Sequence, residues 1–351
     1  MTLVDYSTIR GTAQRSSTFL FEVMTMDLLP IGILDVNLDR PPVLNNNINR
    51  TIKRTISNLT FPMHQAVDVD MLMDHIRVSM IHPDGVFPIG VFMFADPSVA
   101  RSTGGDWVDA TLVDQGLMLD QAIEVGFAMA PGSLITPAIE ERLMSRMIHD
   151  FEVEASGRTT GSDWISWPIG TTDLTIINDL CALLGFYSVY FDNAGKGIAR
   201  SVPNLAVTDP DFIYGLGTSV ITDSIIESND LLSAPNRYIV VNNGMSDAPV
   251  SGFWDVPDSA PHSFANRGMH VARVIDSQSV SDNEQATAMA QALGQSDTST
   301  YEWASFNTAI NPLHDTFNVV QWDGKKYHEQ EWSFTLQDGA DQRHGLRRVY
   351  G

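Results

Sequence analysis

Cysteine is almost absent: Cys181 is the one thiol in 351 residues, so no disulfide can form within the chain. It falls among Leu180, Leu183 and Leu184, where a thiol behaves as a small core residue and not as a nucleophile. Positive charge is scarce as well, with 21 Lys+Arg against 43 Asp+Glu and a formal net charge of -22. Such a field repels nucleic-acid phosphates and anionic lipid head groups unless basic residues cluster. The one basic group, Arg50, Lys53 and Arg54, alternates with β-branched residues and reads as the solvent face of a strand. Long apolar runs are missing too. The stretch 19–34 is broken by Glu22 and Asp27, and no positive segment followed by an apolar run opens the chain. The expectation is no signal peptide, no membrane span and no stable membrane association.

Compact catalytic motifs are equally hard to find. His328-Glu329-Gln330-Glu331-Trp332 supplies the first half of a metalloprotease signature and sits in a predicted strand. The other histidines, His64, His75, His82, His149, His262, His270, His314 and His344, are scattered singly, with no zinc spacing among them. Gly244-Met245-Ser246-Asp247-Ala248 lacks the second glycine of a nucleophile elbow, and Gly195-Lys196-Gly197 lacks the Ser or Thr of a phosphate loop. The acidic pairs Asp68/Asp70, Asp209/Asp211 and Glu329/Glu331 have the residue types for calcium or glycoside chemistry, but alternate residues of a strand simply share a face. Trp164, Trp167, Trp254, Trp303, Trp322 and Trp332 suit core packing, a glycan platform or a subunit interface. No catalytic, cofactor-binding or metal residue is therefore assigned, and no cofactor is expected.

What is present is apolar material, 43% hydrophobic against 18% charged residues, enough to bury real cores. A chain of this length predicts two or three domains. Alternating runs at 19–25, 48–56, 76–81, 86–94 and 107–113 predict an all-β first third, with Asp84-Gly85 as a hairpin turn. The period then changes. Ile139, Leu143 and Met147 follow Thr136-Pro137, a capping residue and a first-turn proline. A second helix opens at Thr172-Asp173, aligns Leu174, Ile177, Leu180, Cys181 and Leu184, and stops at Gly185. Strands at 186–191 and 197–202 flank a turn at Asp192-Asn193-Ala194-Gly195, which makes the middle a small α/β unit. Strands return at 238–241, 271–275, 301–307, 317–322 and 331–336, interrupted by one helix from Ser281-Asp282 to Gly294. Asp84-Gly85 before Thr111-Leu112-Val113-Asp114 is echoed by Asp323-Gly324 before Thr335-Leu336-Gln337-Asp338, as in two related β domains around an α/β insertion.

The order of local patterns carries a resemblance. The first part contains Asp74-His75-Ile76-Arg77-Val78, Asp84-Gly85, Pro88-Ile89-Gly90-Val91-Phe92 and Leu112-Val113-Asp114. The middle contains 165–170, Leu184-Gly185-Phe186 and Tyr190-Phe191-Asp192, followed by Ala234-Pro235-Asn236-Arg237-Tyr238-Ile239-Val240-Val241. The end contains the helix 282–293, Asn311-Pro312-Leu313-His314-Asp315, Val319-Val320, Tyr327, 332–336 and Leu346-Arg347-Arg348-Val349. In this order the chain resembles the tail-tip and baseplate hub proteins of phages, the tail-associated-lysin-like hubs, with the minor tail proteins of non-contractile actinobacteriophage tails nearest.

The resemblance implies an α+β, mainly β fold: two tail-tube-like β-barrel domains with a small α/β insertion domain between them. Residues 1–128 would be the first barrel with an N-terminal extension, 129–205 the α/β domain, and 206–351 the second barrel with a helical insertion. It implies a structural homotrimer, not an enzyme, whose pseudo-sixfold ring joins the tail tube and distal tail protein to threefold tip and fibre proteins. The tape measure protein is a further partner on this reading. Phage DNA would pass through the ring during genome ejection without specific binding, which the acidic composition suits. The expected place is the virion, at the tail tip, after synthesis in the host bacterial cytoplasm. Larger members carry a C-terminal peptidase or glycan-degrading extension, and the end at Gly351 leads us to expect none here. The alternatives are another tail component, a distal-tail ring or a receptor- or glycan-binding protein, and last a cell-wall hydrolase.

Overall fold

The structure is a computed structural model and describes residues 18–37, 39–47, 53–82, 84–161, 163–215, 226–230, 232–243, 250–277, 280–297 and 302–350. Strand alternation builds its largest element. Thr18–Met24 turns Phe19, Phe21 and Val23 inward and pairs antiparallel with His75–His82, Phe21 lying opposite Val78. The predicted hairpin turn follows, with Gly85 at φ 149 beside the pair His82 and Gly85, and the chain returns as Gly85–Phe94. With Pro30–Ile33, Val43–Asn47, Lys53–Pro62, Ser98–Ser102 and Gly105–Asp114 these strands form the N-terminal half of a 14-stranded sheet. Their inward faces enclose an apolar core that includes Phe21, Leu44, Ile56, Val78, Phe92 and Leu112.

The C-terminal half comprises Phe212–Tyr214, Ile226–Asn229, Glu302–Ala309, Val319–Trp322, Lys325–Thr335 and Asp341–Arg348. It does not stand apart. Val43–Asn47 lies between Lys53–Pro62 and Lys325–Thr335, with Leu44 opposite Phe334 and Asn46 opposite Trp332. The mainly β expectation therefore holds, as one continuous sheet. No barrel closes among the described residues: the path runs from Ile226–Asn229 at one edge to Pro30–Ile33 at the other.

The helices cover a separate core. Asp173–Leu184 is capped by Thr172, whose side chain accepts from Thr175 N, and ends at Gly185 with φ 74, as the sequence predicts. Asn283–Ser296 opens with a reciprocal box in which Asp282 accepts from Gln285 N at 2.8 Å and the Gln285 side chain accepts from Ser281 N at 3.1 Å. This helix packs on a small sheet, Val250–Asp255, Arg237–Asn242 and Ala272–Asp276, and on Asp173–Leu184. Leu143, Ile177, Leu180, Cys181, Tyr238 and Ala290 share the resulting core. Burial pushes the Cys181 thiol up to about 12, the inert core residue expected of it.

Several predicted boundaries move. The first helix is Ile135–Ser145, with Leu134 as N-cap and Thr136-Pro137 inside the first turn. Met147 lies past its end at φ 61 and is exposed, so the four-residue spacing overshoots by one turn. Gly294 does not stop the last helix but lies within it, where a Cβ would strike the ring of Trp254. The strand expected at 186–191 is reduced to Tyr190–Phe191, paired with Gly197–Ala199 across the predicted turn. Residues 48–52 of the strand expected at 48–56 lie outside the described residues, and its observed part runs on to Pro62.

Candidate functional site

The basic group does not form a solvent face. Arg50 lies outside the described residues, Lys53 is half-buried and paired with Asp120 at 2.6 Å, and Arg54 is almost fully buried at 1% exposure. In Lys53–Pro62 the alternation that turns Ile56 inward turns Arg54 inward too. The Arg54 guanidinium donates to Ile89 O at 3.2 Å, to Thr316 Oγ1 at 3.3 Å, to Asn193 Oδ1 and to Asp315 Oδ1. It also lies 5.6 Å from the centre of the Trp332 ring. One side chain thus ties the N-terminal strands, the Asp192–Gly195 turn and the C-terminal half. Asn193 completes the tie by donating to His314 O at 3.0 Å. Beneath it the Asp114 carboxylate accepts from Arg54 N at 2.7 Å and from Gly116 N at 3.0 Å, yet burial pushes it up to about 6.

A second polar group lies in the C-terminal half. In Lys325–Thr335, Glu329 faces Leu346 and Glu331 faces Gly345, which leaves Gln330 as the extra residue of a bulge. The bulge rotates the chain enough that His328, Glu329 and Gln330 are all buried. Glu329 Oε1 is 2.6 Å from His344 Nδ1, and its Oε2 is 2.7 Å from His314 Nδ1. The second approach is off the line that a hydrogen bond requires. His314 Nδ1 and Nε2 and Glu329 Oε2 are consequently without hydrogen-bond partners. His344 Nε2 is 2.8 Å from Thr308 Oγ1, whose hydroxyl is also 2.8 Å from Ala309 O. Aromatic rings close the surroundings: Phe212 stacks on His314 at 4.6 Å, and Phe306 lies 5.4 Å from His344.

Burial dominates the electrostatics of this group. It pushes Glu329 up to about 7 against the opposing pull of His344, lowers His314 to about 3, and lowers His344. The arrangement can share a proton between carboxylate and imidazole or coordinate a cation, since the three ligand atoms lie within 4.8 Å of one another. His328 stands beside the group and has different partners, Tyr187 OH at 3.3 Å and Gln330 Nε2 at 2.8 Å, with burial lowering it to about 3.

The sequence treats His314 and His344 as isolated residues and pairs Glu329 only with Glu331, because the three belong to a loop and two strands. No local spacing joins them. The His328-Glu329-Gln330-Glu331-Trp332 stretch does lie in a strand, as expected. In each of the other acidic pairs one member serves the backbone: Asp70 accepts from Leu72 N at 2.9 Å and Asp211 from Val319 N at 2.7 Å. Trp167, Trp322 and Trp332 are core residues, while Trp164 is 68% exposed. Trp254 lines a cavity of about 310 Å³ with Tyr238, His262, Arg347 and Tyr350. Arg347 there donates to Gly294 O and Gln295 O, capping carbonyls at the end of Asn283–Ser296.

No family model matches the sequence, and no curated protein does. Solved structures do match. The tail protein from Neisseria meningitidis MC58 superposes with a TM-score of 0.61 at 12% identity, over 95% of this chain and 97% of that one. The 43 kDa tail protein of prophage MuSo2 from Shewanella oneidensis gives 0.60 at 9% identity, over 94% and 98%. The E. coli c3393 protein, a type VI secretion system component described as similar to the T4 bacteriophage tail proteins gp27 and gp5, gives 0.51 at 8% over 97% and 76%. The fold is thus shared with phage tail proteins and with a type VI secretion system component, which matches the mainly β, tail-protein part of what the resemblance implied.

Proposed function

We propose that this chain is a structural subunit of a phage tail tip, a hub that assembles as a homotrimer into a pseudo-sixfold ring. The observation that carries this reading is the single sheet with two β halves and, among the described residues, an open strand at each end of its main path, Pro30–Ile33 and Ile226–Asn229. An unpaired edge is a template for another strand, and two edges on opposite ends suit head-to-tail contacts that close by rotation. Three such chains supply six β halves. Leu29, Ile31 and Ile33 at one edge, and Leu72 at 81% exposure in the segment whose Val67 side chain packs beside Gly32, add apolar surface of the kind an interface covers.

On this reading each half is a tube-like domain, within 1–128 and 206–351, and 129–205 is the α/β insertion between them. The ring joins a tail tube and distal tail protein above to threefold tip proteins below. DNA passes through it without specific binding, and the chain's work is assembly, not catalysis. Light scattering of the purified chain tests the proposal, because one subunit is 38.7 kDa and a trimer about 116 kDa. A trimer across a range of concentrations is the expected result. A hexamer would replace the hub by a distal-tail ring, and a monomer that stays monomeric with its neighbouring tail proteins would overturn the reading.

A further inference from the structure

We propose that His314, Glu329 and His344 form a binding site for one divalent transition-metal ion of the zinc class. The three side chains are each at most 3% exposed and converge from three segments: the loop before Val319–Trp322, the bulge of Lys325–Thr335, and Asp341–Arg348. Two imidazoles and a carboxylate are a donor set that zinc accepts, with the fourth position left to water.

The unpartnered atoms point the same way. His314 has neither ring nitrogen hydrogen-bonded, and Glu329 Oε2 has no donor, although both residues are buried among aromatic rings. Leaving a buried polar atom without a partner is costly, and a cation between them would engage an imidazole lone pair and a carboxylate oxygen together. His344 is oriented for the same role. When the Thr308 hydroxyl donates to Ala309 O, its oxygen accepts from His344 Nε2, so the free lone pair is on Nδ1, aimed at Glu329 Oε1. Two lone pairs facing at 2.6 Å are held by a positive charge between them, which a shared proton supplies in the metal-free chain and the ion would supply in its place. Arg54, the cation of the neighbouring junction, is already matched by Asp315.

Each Glu329 oxygen stands 2.6 or 2.7 Å from its imidazole nitrogen, whereas ligands of a tetrahedral zinc ion lie roughly 3.3 Å apart given bonds of about 2.0–2.1 Å. Binding therefore requires the Glu329 carboxylate to back away from both rings. All three side chains are buried, so the ion is taken up as the chain folds. Its effect is to pin the loop that carries Asp315 against both strands of the bulge.

The test is to unfold the full chain, strip it with chelator, and refold it with Co²⁺ or Zn²⁺ or with neither. The expected result is one Co²⁺ per chain with visible d–d absorption, displaced by Zn²⁺, and a melting temperature above that of the metal-free refolded chain. Glu329→Gln and His314→Gln should abolish the absorption, while His64→Gln and His149→Gln, at exposed positions, should leave it unchanged. A wild-type chain that refolds fully yet takes up no stoichiometric Co²⁺ overturns the proposal without recourse to any variant. Binding that survives in a folded Glu329→Gln chain overturns it too, by moving the ion elsewhere.

Discussion

The two halves of the sheet are built by the same alternation but filled differently. The N-terminal half packs Phe21, Ile56, Val78, Phe92 and Leu112 against one another. The C-terminal half buries His314, His328, Glu329, Gln330, Gln342 and His344 alongside its aromatics. An apolar core fixes inside and outside but tolerates exchange of one aliphatic residue for another. A polar core must satisfy named partners, so it fixes particular residues at particular places. The difference teaches that the N-terminal half keeps its buried charge at a few points such as Arg54 and Asp114, whereas the C-terminal half gathers its buried polar residues into one interior group.

The sharpest way to break the comparison is at the residue that spans both halves. Arg54→Ala removes the donor to Asp315, Asn193 and Ile89 O and leaves Asp315 without its cation. We expect a loss of about 3–5 kcal/mol in a urea unfolding curve, or failure to fold. Leu112→Ala, in a fully buried position of the apolar half, should cost about 3 kcal/mol. Its unfolding midpoint should show the same pH dependence as the wild type, because no titrating contact is removed.

The smallest effect separates the halves by acid. Burial holds His328 down to about 3 and His262 down to about 4, so the fold keeps both neutral. Their contribution is present above the unfolded value of about 6.5 and is lost as pH falls through about 4 and about 3. Glu329 and Asp114, raised to about 7 and about 6, act in the opposite sense and withdraw stability as pH rises through those values. The buried histidines outnumber them, with His75, His314 and His344 lowered as well, so the metal-free chain should be less stable at pH 5 than at pH 7.5. His328→Leu should flatten that dependence. Unchanged steepness in this variant would show that the polar half is not the acid-sensitive one.

The apolar half was readable because every second residue of its strands is apolar, and the two capped helices because Thr172, Gly185 and Asp282 do what such residues do at helix ends. Arg54 was readable by the same rule, two residues from Ile56 on one face, but its charge argued for solvent. Charge yields to alternation there because four acceptors and an aromatic ring await the guanidinium, and all of them are distant in sequence. Glu329 was not readable: a bulge changes the phase of a strand without changing its composition. His314 comes from a loop, where periodicity says nothing. Gly294 misled because a glycine that admits the ring of Trp254 looks, in sequence, like one that ends a helix.

The extra residue at Gln330 has one more consequence. Beyond it, Trp332, Phe334 and Leu336 belong to the core of the N-terminal half, while before it Tyr327 belongs to the core of the C-terminal half. A single strand is therefore the shared wall of two rooms, turned by the slip so that each portion furnishes a different one. Emptying either room disturbs the wall of the other, so the two halves of the sheet are coupled in unfolding.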